Sequence, residues 1–291
     1  MAVTISRFKN VRGGGKRETK GLDFLIDSWR AEKKIGLSTA TPFPENLGLP
    51  KRKNETEYFV FEGNGELDFE REIGDIGSVV IEIAKGANIT IRSNPVFSQE
   101  IIFVLENGAN LIFEESSGDV DKARFLEFFV EEKAHLHAKA HFSGGGFSKE
   151  IWHARLLAPG ARTHFNSVFS PDGKATIDFS QKIFHQADST ESTIVVRGIA
   201  RDETNTIYRA ETNLPHGLKN LSGHEDVKFI SISPKAIIST IPTLDVGTPH
   251  VSCSHALSIS NFSPEEIFYA KVRGLSEENA KNLITEGFLK V

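Results

Sequence analysis

Cys253 and His255 are the two residues whose types and spacing most directly suggest chemistry. Residues two positions apart in a strand share a face, so the thiol and the imidazole would point the same way. A thiolate and a neutral imidazole both bind metals well, although a small buried cysteine beside a hydrogen-bonded histidine is the simpler interpretation. One chain offers two such donors, whereas two chains around a two-fold axis would offer four. The pair therefore favours a homodimer with a shared metal site at its axis.

A second set of potential ligands lies in the middle of the chain, where six of the ten histidines fall between residues 135 and 185. His137 and His164 occupy equivalent positions in an internal repeat, so we expect them within about 5 Å of each other. A metal site is one interpretation, but no carboxylate or cysteine recurs beside them at ligand spacing. The pattern favours a ladder of solvated or interface histidines instead.

Composition excludes several other kinds of site. The single cysteine permits neither a disulfide framework nor a cysteine-rich zinc site within the chain. The net charge of −5 argues against nucleic-acid binding, which depends on an excess of Lys and Arg. The glycines before Lys16 lack the spacing of a phosphate-binding loop, so we expect this chain to bind no nucleotide. The apolar runs are far shorter than the roughly 20 residues that a membrane helix needs, and the start does not have the pattern of a signal peptide. We therefore expect a cytoplasmic protein.

Many short strands are predicted between residues 56 and 246, where runs of Val, Ile, Phe and Thr alternate with Gly, Asn, Asp and Pro. Ala87, Ala109, Ala134 and Ala161 each open a strand, and they follow one another by 22, 25 and 27 residues. A period in the twenties favours a parallel β-helix, in which each coil stacks on the last. A barrel or a sandwich of evenly spaced strands is the alternative.

Alternation along these strands predicts which side chains face inward. The repeat places apolar residues on one face, which we take as the interior: Ile89, Ile91, Leu111, Phe113, Leu136 and Phe165. Polar residues fall on the opposite, outer face: Asn88, Asn110, His135 and Arg162.

Helical patterns flank the β-rich zone on both sides. Apolar residues at three- and four-residue steps predict a helix over 18–35, in an N-terminal helical segment and linker covering residues 1–55. In a C-terminal helical region over 247–291, Ser263 starts a helix that stops near Gly274, and Ser276 starts one that stops at Gly287. Their apolar residues, among them Phe268, Val272 and Leu283, should pack the two helices together. The predicted fold is therefore mainly β, with short terminal helical segments.

About seventy residues at the C-terminus resemble the SufB/SufD family, the scaffold subunits of the Suf-type iron–sulfur cluster assembly machinery. Several fixed spacings agree together in this stretch. The matching segments are Thr240–Leu244, Val251–His255, Ile267–Tyr269, Arg273–Ser276 and Gly287–Phe288. The resemblance implies a right-handed parallel β-helix flanked by helical segments.

The resemblance also implies where two subunits would meet. Subunits of the family pair through the C-terminal end of the β-helix, and Cys253 and His255 match the Cys and His of that interface. These two residues are thereby the expected ligands of a transient iron–sulfur cluster. Glu277 and Glu278 fall near an interface-region glutamate of the B-type subunit.

Further partners follow from the same resemblance. Each C-terminal helical region in the family holds one SufC-type ABC ATPase, and Phe268, Tyr269 and Arg273 lie in the segment similar to its docking helices. A sulfur donor and a second SufB/SufD-type subunit complete the expected partners, with a homodimer favoured. ATP hydrolysis would belong to the ATPase, so the chain itself is not expected to be an enzyme.

We therefore predict a cytoplasmic scaffold subunit that builds and transfers nascent iron–sulfur clusters. One alternative is a D-type subunit, toward which the Cys253-Ser254-His255 motif leans; it would shape the complex and help iron to enter without a cluster of its own. Another is a β-helix carbohydrate-active enzyme, although acidic residues in this zone do not recur in register as paired catalytic carboxylates would.

Overall fold

A computed structural model describes residues 3–9, 57–74, 76–96 and 98–290. Within these ranges the chain forms a parallel β-solenoid followed by a pair of helices. The predicted mainly β fold and its coiled architecture are thereby confirmed, and the barrel and sandwich alternatives are wrong. The helix predicted over 18–35 lies outside the described residues.

The strands follow one another in chain order as β1 (Thr4–Lys9), β2 (Glu57–Glu62), β3 (Asn64–Asp68), β4 (Ser78–Ile83), β5 (Asn88–Ser93), β6 (Gln99–Leu105), β7 (Asn110–Ser117), β8 (Lys122–Val130), β9 (His135–Gly144), β10 (Phe147–Leu156), β11 (Arg162–Pro171), β12 (Thr176–His185), β13 (Glu191–Ala200), β14 (Asn205–Leu214), β15 (Leu221–Ser231), β16 (Ile237–Val246) and β17 (Val251–Asn261). A short helical turn, α1 (Phe69–Glu72), follows β3. The two C-terminal helices are α2 (Pro264–Val272) and α3 (Glu277–Phe288).

The strands form two sheets that alternate along the chain. The even sheet runs in the order β1-β2-β4-β6-β8-β10-β12-β14-β16, and the odd sheet runs β17-β15-β13-β11-β9-β7-β5-β3. The chain thus crosses from one sheet to the other in every coil, and successive coils pair in parallel. Strand β1 differs, since it pairs with β2 in the antiparallel direction. Strand β17 belongs to this ladder, although it lies in the segment that we assigned to the C-terminal helical region.

The side chains between the two sheets form one continuous apolar core. The six residues predicted to face inward are all buried, and aromatic rings of successive coils touch, as Phe103 and Phe128 do at 4.9 Å between centroids. The repeated alanines occupy enclosed corners between strands. At Ala109 the backbone N–H donates to the carbonyl of Glu106, and the corner leaves room for only a small side chain. The weak repeat in the sequence therefore reflects the recurrence of this alanine corner in successive coils.

On the outer face, asparagine amides join neighbouring coils. The Asn88 amide nitrogen donates to Oδ1 of Asn64 at 2.9 Å, and that of Asn110 donates to Oδ1 of Asn88 at 2.8 Å. Such ladders form because identical positions of a parallel, in-register stack lie one strand spacing apart. The predicted outer face is thus confirmed at these positions.

A group of charged side chains lies fully buried in the middle of the solenoid. Lys122 Nζ lies 2.6 Å from Glu115 Oε1 and 2.7 Å from Glu150 Oε1, and Arg124 pairs with Glu115 at 2.6 Å. When all four groups are ionised their charges cancel, and such pairing is what buried ions require. Burial, together with the charge of Glu115, raises the pKa of Glu150 to about 7. Sequence patterning did not predict this cluster.

The C-terminal helices begin as predicted. The Ser263 hydroxyl accepts from the backbone N–H of Glu266, and the Ser276 hydroxyl accepts from that of Asn279, so each serine is an N-cap. Gly274, at φ +95°, follows the first helix in a conformation that favours glycine. Within the described part of the chain, no helix combines the length and the apolar character needed to cross a membrane.

Candidate functional site

The C-terminal end of the solenoid has an uncovered core. Strands β16 and β17 are the last strands of the two described sheets. On β17, Leu257 and Ile259 lie in register with Val227 and Phe229 of the preceding coil. The two residues of the preceding coil are buried, whereas Leu257 is 43% exposed and Ile259 is 50% exposed. Inward-facing apolar side chains are therefore left open at this end.

Cys253 and His255 belong to the same inward-facing row of β17. Cys253 is in register with Gly223 and His255 with Glu225, both of which are buried positions of β15. Ser254 lies on the opposite face, where its hydroxyl lies 2.8 Å from Nδ1 of His224. The thiol and the imidazole thus share one face, as the spacing predicts, and that face is the open end of the solenoid. Cys253 is partly exposed and His255 is exposed.

The turn between β16 and β17 fixes the position of this last strand. A Cβ atom on Gly247 would lie 2.7 Å from the backbone nitrogen of His216, so the turn approaches the preceding coil more closely than any other residue type allows. The hydroxyl of Thr248 donates to the carbonyl of Leu218 at 2.7 Å. These contacts hold the start of β17 against the coil beneath it.

Glu225 lies one coil beneath His255, and sequence reasoning missed it. Its side chain is only 2% exposed. Oε1 accepts a 2.6 Å hydrogen bond from Thr212, while Oε2 has no hydrogen-bond partner in the part of the chain that the structure describes. Burial raises the pKa of the Glu225 carboxyl, and the Thr212 hydrogen bond and the nearby His255 oppose that shift. A signal was present in the sequence, because Glu225 is a charged residue at an inward position of a strand that otherwise alternates apolar and polar residues.

Glu277 and Glu278 are exposed at the start of α3. Glu277 lies 2.8 Å from Lys281 and 3.3 Å from Lys271, and hydrogen bonds from these lysines lower its pKa. Both glutamates follow the Ser276 cap, where acidic residues favour a helix N-terminus. Their proposed place at a subunit interface stays a prediction.

The predicted ATPase-docking residues lie on an exposed surface of the helical pair. Phe268 and Tyr269 project from α2, and the guanidinium of Arg273 lies 3.5 Å from the centroid of the Tyr269 ring. The expectation that Phe268, Val272 and Leu283 pack the helices together is wrong, because all three are more than half exposed. The buried residues of the two helices are the small Ala270 and Ala280.

His137 and His164 lie next to each other on the outer face of the odd sheet. Their ring centroids are 4.8 Å apart, which confirms the predicted proximity. Burial, and then the charge of His164, lowers the pKa of His137 to about 4, and burial also lowers that of His164. Nε2 of each ring has no hydrogen-bond partner. Among the described residues, no group of three or more Cys, His, Asp or Glu side chains is arranged to hold a metal ion.

Comparison with known proteins agrees with the resemblance of the C-terminal motifs. The family described as "SUF system FeS cluster assembly, SufBD core domain" matches residues 75–288. An iron–sulfur cluster assembly SufBD family protein of Staphylococcus epidermidis is 28% identical over 163 residues. A protein of the same description from Staphylococcus aureus is 30% identical over 163 residues. Each alignment covers 56% of this chain and 35% of the relative.

The family match extends over most of the chain and includes the solenoid from β4 onward, the Cys253–His255 strand and both C-terminal helices. The chain spans about a third of the length of the curated relatives it matches. The chain therefore belongs to the SufBD family of the SUF iron–sulfur cluster assembly system.

Proposed function

We propose that this chain is a dimeric scaffold subunit on which an iron–sulfur cluster is assembled, with Cys253 and His255 as the ligands that each subunit supplies. The observation that carries the proposal is their position. Both side chains lie on the inward face of the last coil, where nothing in the described chain covers the core. A thiolate and an imidazole are both ligands that iron–sulfur clusters use.

The uncovered end is the surface that supports dimer formation. Among the described residues, nothing pairs with the outer edges of β16 and β17. Val246, Leu257 and Ile259 expose apolar surface at this end, and Ile237 and Ile241 expose theirs on the outer face of β16. An exposed edge strand and an apolar patch both favour association with another chain. A two-fold pairing through this end would bring two thiols and two imidazoles to one axis, which makes four ligands.

A SufC-type ABC ATPase is the proposed partner of the helical pair. Phe268, Tyr269 and Val272 expose apolar surface on α2, and Arg273 stacks on one of the rings. Exposed aromatic residues with an adjacent arginine are typical of binding hot spots. Replacing Phe268 and Val272 together by Ser should abolish binding of the ATPase from the same organism, measured by calorimetry. Binding at wild-type affinity would contradict this docking surface.

Anaerobic loading with ferrous iron and sulfide tests the scaffold role. We expect iron and sulfide to be retained in stoichiometric amounts per dimer after gel filtration of the wild type, and to be lost in Cys253→Ser. Ser254→Ala is the matched control, since Ser254 neighbours Cys253 but faces the opposite side of the strand. Retention of the cluster by Cys253→Ser would refute the proposed ligand.

The D-type role is the second proposal that an observation favours. The Cys-Ser-His order of the motif supports it, and such a subunit would shape the complex and help iron entry without holding a cluster. A wild-type chain that retains no cluster by itself, but does so beside a second SufBD subunit, would favour this role over the homodimeric scaffold.

The carboxylates that pair in the core do not support the alternative of a carbohydrate-active enzyme. Glu115 and Glu150 meet in the core, where both side chains are fully buried and paired with Lys122 and Arg124. A polysaccharide cannot reach carboxylates that are enclosed in this way, whereas glycosidases use a pair that flanks the bound sugar.

A further inference from the structure

We infer that Glu225 is a positioning residue for His255: its free carboxylate oxygen accepts the N–H of one ring nitrogen and so directs the other ring nitrogen toward the metal at the open end. This inference rests on the proposed function, in which His255 is a ligand. It adds a residue that lies on a different strand from the Cys253–His255 motif and one coil deeper in the solenoid.

The first argument is that one oxygen of Glu225 has no hydrogen-bond partner. The side chain is 2% exposed, and a buried carboxylate oxygen without a hydrogen bond is unfavourable. Oε2 nevertheless has no partner among the described residues, whereas Oε1 accepts the hydroxyl of Thr212 at 2.6 Å. A hydrogen bond from His255 would satisfy the second oxygen and remove the penalty.

The second argument is the geometry of the parallel ladder. Glu225 and His255 are register partners on β15 and β17, so their Cα atoms lie about 4.8 Å apart and their side chains share the inward face. On the other side, Glu225 is in register with Ile194, whose side chain has no polar atom to offer. His255 is therefore the polar side chain that the ladder places next to Glu225 on its open side.

The third argument is chemical. A metal-binding histidine usually donates its second ring N–H to a carboxylate, which fixes the tautomer and makes the free nitrogen a better ligand. Thr212 holds the Glu225 carboxylate in place through Oε1, so the carboxylate is pre-oriented before any metal arrives.

The test uses the full-length chain, cobalt(II) as the metal probe, and long-range ¹H–¹⁵N spectra of ¹⁵N-histidine-labelled protein. We compare wild type, Glu225→Gln and Glu211→Gln. Glu211 is the matched control, because it precedes Thr212 on the same strand and is only partly buried, in an ion pair with Lys182. In metal-free wild type we expect one tautomer of the His255 ring, assigned by its loss in His255→Gln.

Glu225→Gln should give a mixture of His255 tautomers and weaken cobalt binding by ~10- to 100-fold. Glu211→Gln should leave both properties unchanged. A Glu225→Gln protein with wild-type tautomer and cobalt affinity would overturn the inference. If that variant does not fold, Thr212→Val removes the hydroxyl that holds Oε1, and it should produce the same two changes to a smaller degree; no change there would likewise overturn it.

Failure of the proposed function is distinguishable from failure of this inference. A wild-type cobalt complex without a thiolate-to-metal absorption band, together with wild-type cobalt affinity in Cys253→Ser, would contradict Cys253 as a ligand, whatever Glu225 does. Loss of that band in Cys253→Ser, with no effect of Glu225→Gln, would leave the ligand assignment intact and refute only the positioning role.

Discussion

The apolar side chains exposed at the open end of the solenoid allow the association of two chains to be tested directly by mutation. Leu257 and Ile259 face inward on the last coil, yet 43% and 50% of their surfaces are exposed. If this end is the dimer interface, replacing both residues by Ser should weaken the dimer while leaving the coils beneath intact.

The magnitude follows from the area that each side chain still has to bury. Complete burial of a Leu or Ile side chain is worth about 1.5–3 kcal/mol, and roughly half of that remains to be gained here, so each contributes about 1 kcal/mol on association. The two-fold axis doubles the effect, so the double variant should lose about 4 kcal/mol of association free energy. Since about 1.4 kcal/mol corresponds to a factor of ten, the dissociation constant should rise about a thousand-fold.

Sedimentation velocity over a series of protein concentrations measures this constant. The matched control is Val96→Ser with Ile112→Ser, which also removes two exposed apolar side chains but from coils far from the open end. Circular dichroism and the melting temperature check that both double variants remain folded, because Ile259 covers Phe229 of the coil beneath.

A dissociation constant of the Leu257/Ile259 double variant within about threefold of wild type would refute the assignment of this end as the interface. A wild-type chain that stays monomeric at the highest concentrations would refute the homodimer itself. An equal loss of affinity in the control would show that the effect comes from general apolar surface and not from this end.

Three further predictions concern the solenoid that carries the site. Gly198→Ala should lower stability by about 1–3 kcal/mol, because its Cβ would meet the Phe229 ring, and an unchanged melting temperature would contradict the close packing described. Lys122→Met should lower the free energy of unfolding by about 3–5 kcal/mol, because it removes one buried cation from the side of Glu115. Thermal unfolding measures the loss, and a stabilised variant would refute this reasoning. Burial lowers the pKa of His185 to about 4, so its stabilising contribution is complete above about pH 6.5 and falls as the pH drops toward 4, by roughly 2 kcal/mol at pH 5. The fall in melting temperature between pH 7.5 and pH 5 should therefore be smaller in His185→Gln, and an equal fall would contradict a buried neutral imidazole.

Several features of this protein are determined locally, and the sequence was sufficient to predict them. Strand alternation is a property of the extended backbone, so the shared face of Cys253 and His255 follows from their spacing alone. The serine caps at Ser263 and Ser276 satisfy backbone N–H groups within three residues, which makes helix starts readable from sequence. The alanine repeat predicted stacked coils, because each coil needs the same small residue at its enclosed corner.

Other features depend on contacts between coils, and only the tertiary structure decided them. Glu225 and His255 are register partners although 30 positions separate them in the chain. The alanines that mark the earlier coils follow one another by only 22 to 27 residues. Because coil length varies, the register of distant strands cannot be counted from the period. The same reason hides the ion cluster around Lys122: Lys122 lies on β8, and its partners Glu115 and Glu150 come from β7 and β10. Whether an apolar helix residue is covered is likewise a matter of what packs against it: Ala270 and Ala280 are buried, whereas Phe268 is exposed. The sequence alone thus predicted the two proposed ligands, whereas the open end around them and the carboxylate beneath them depend on how the coils stack.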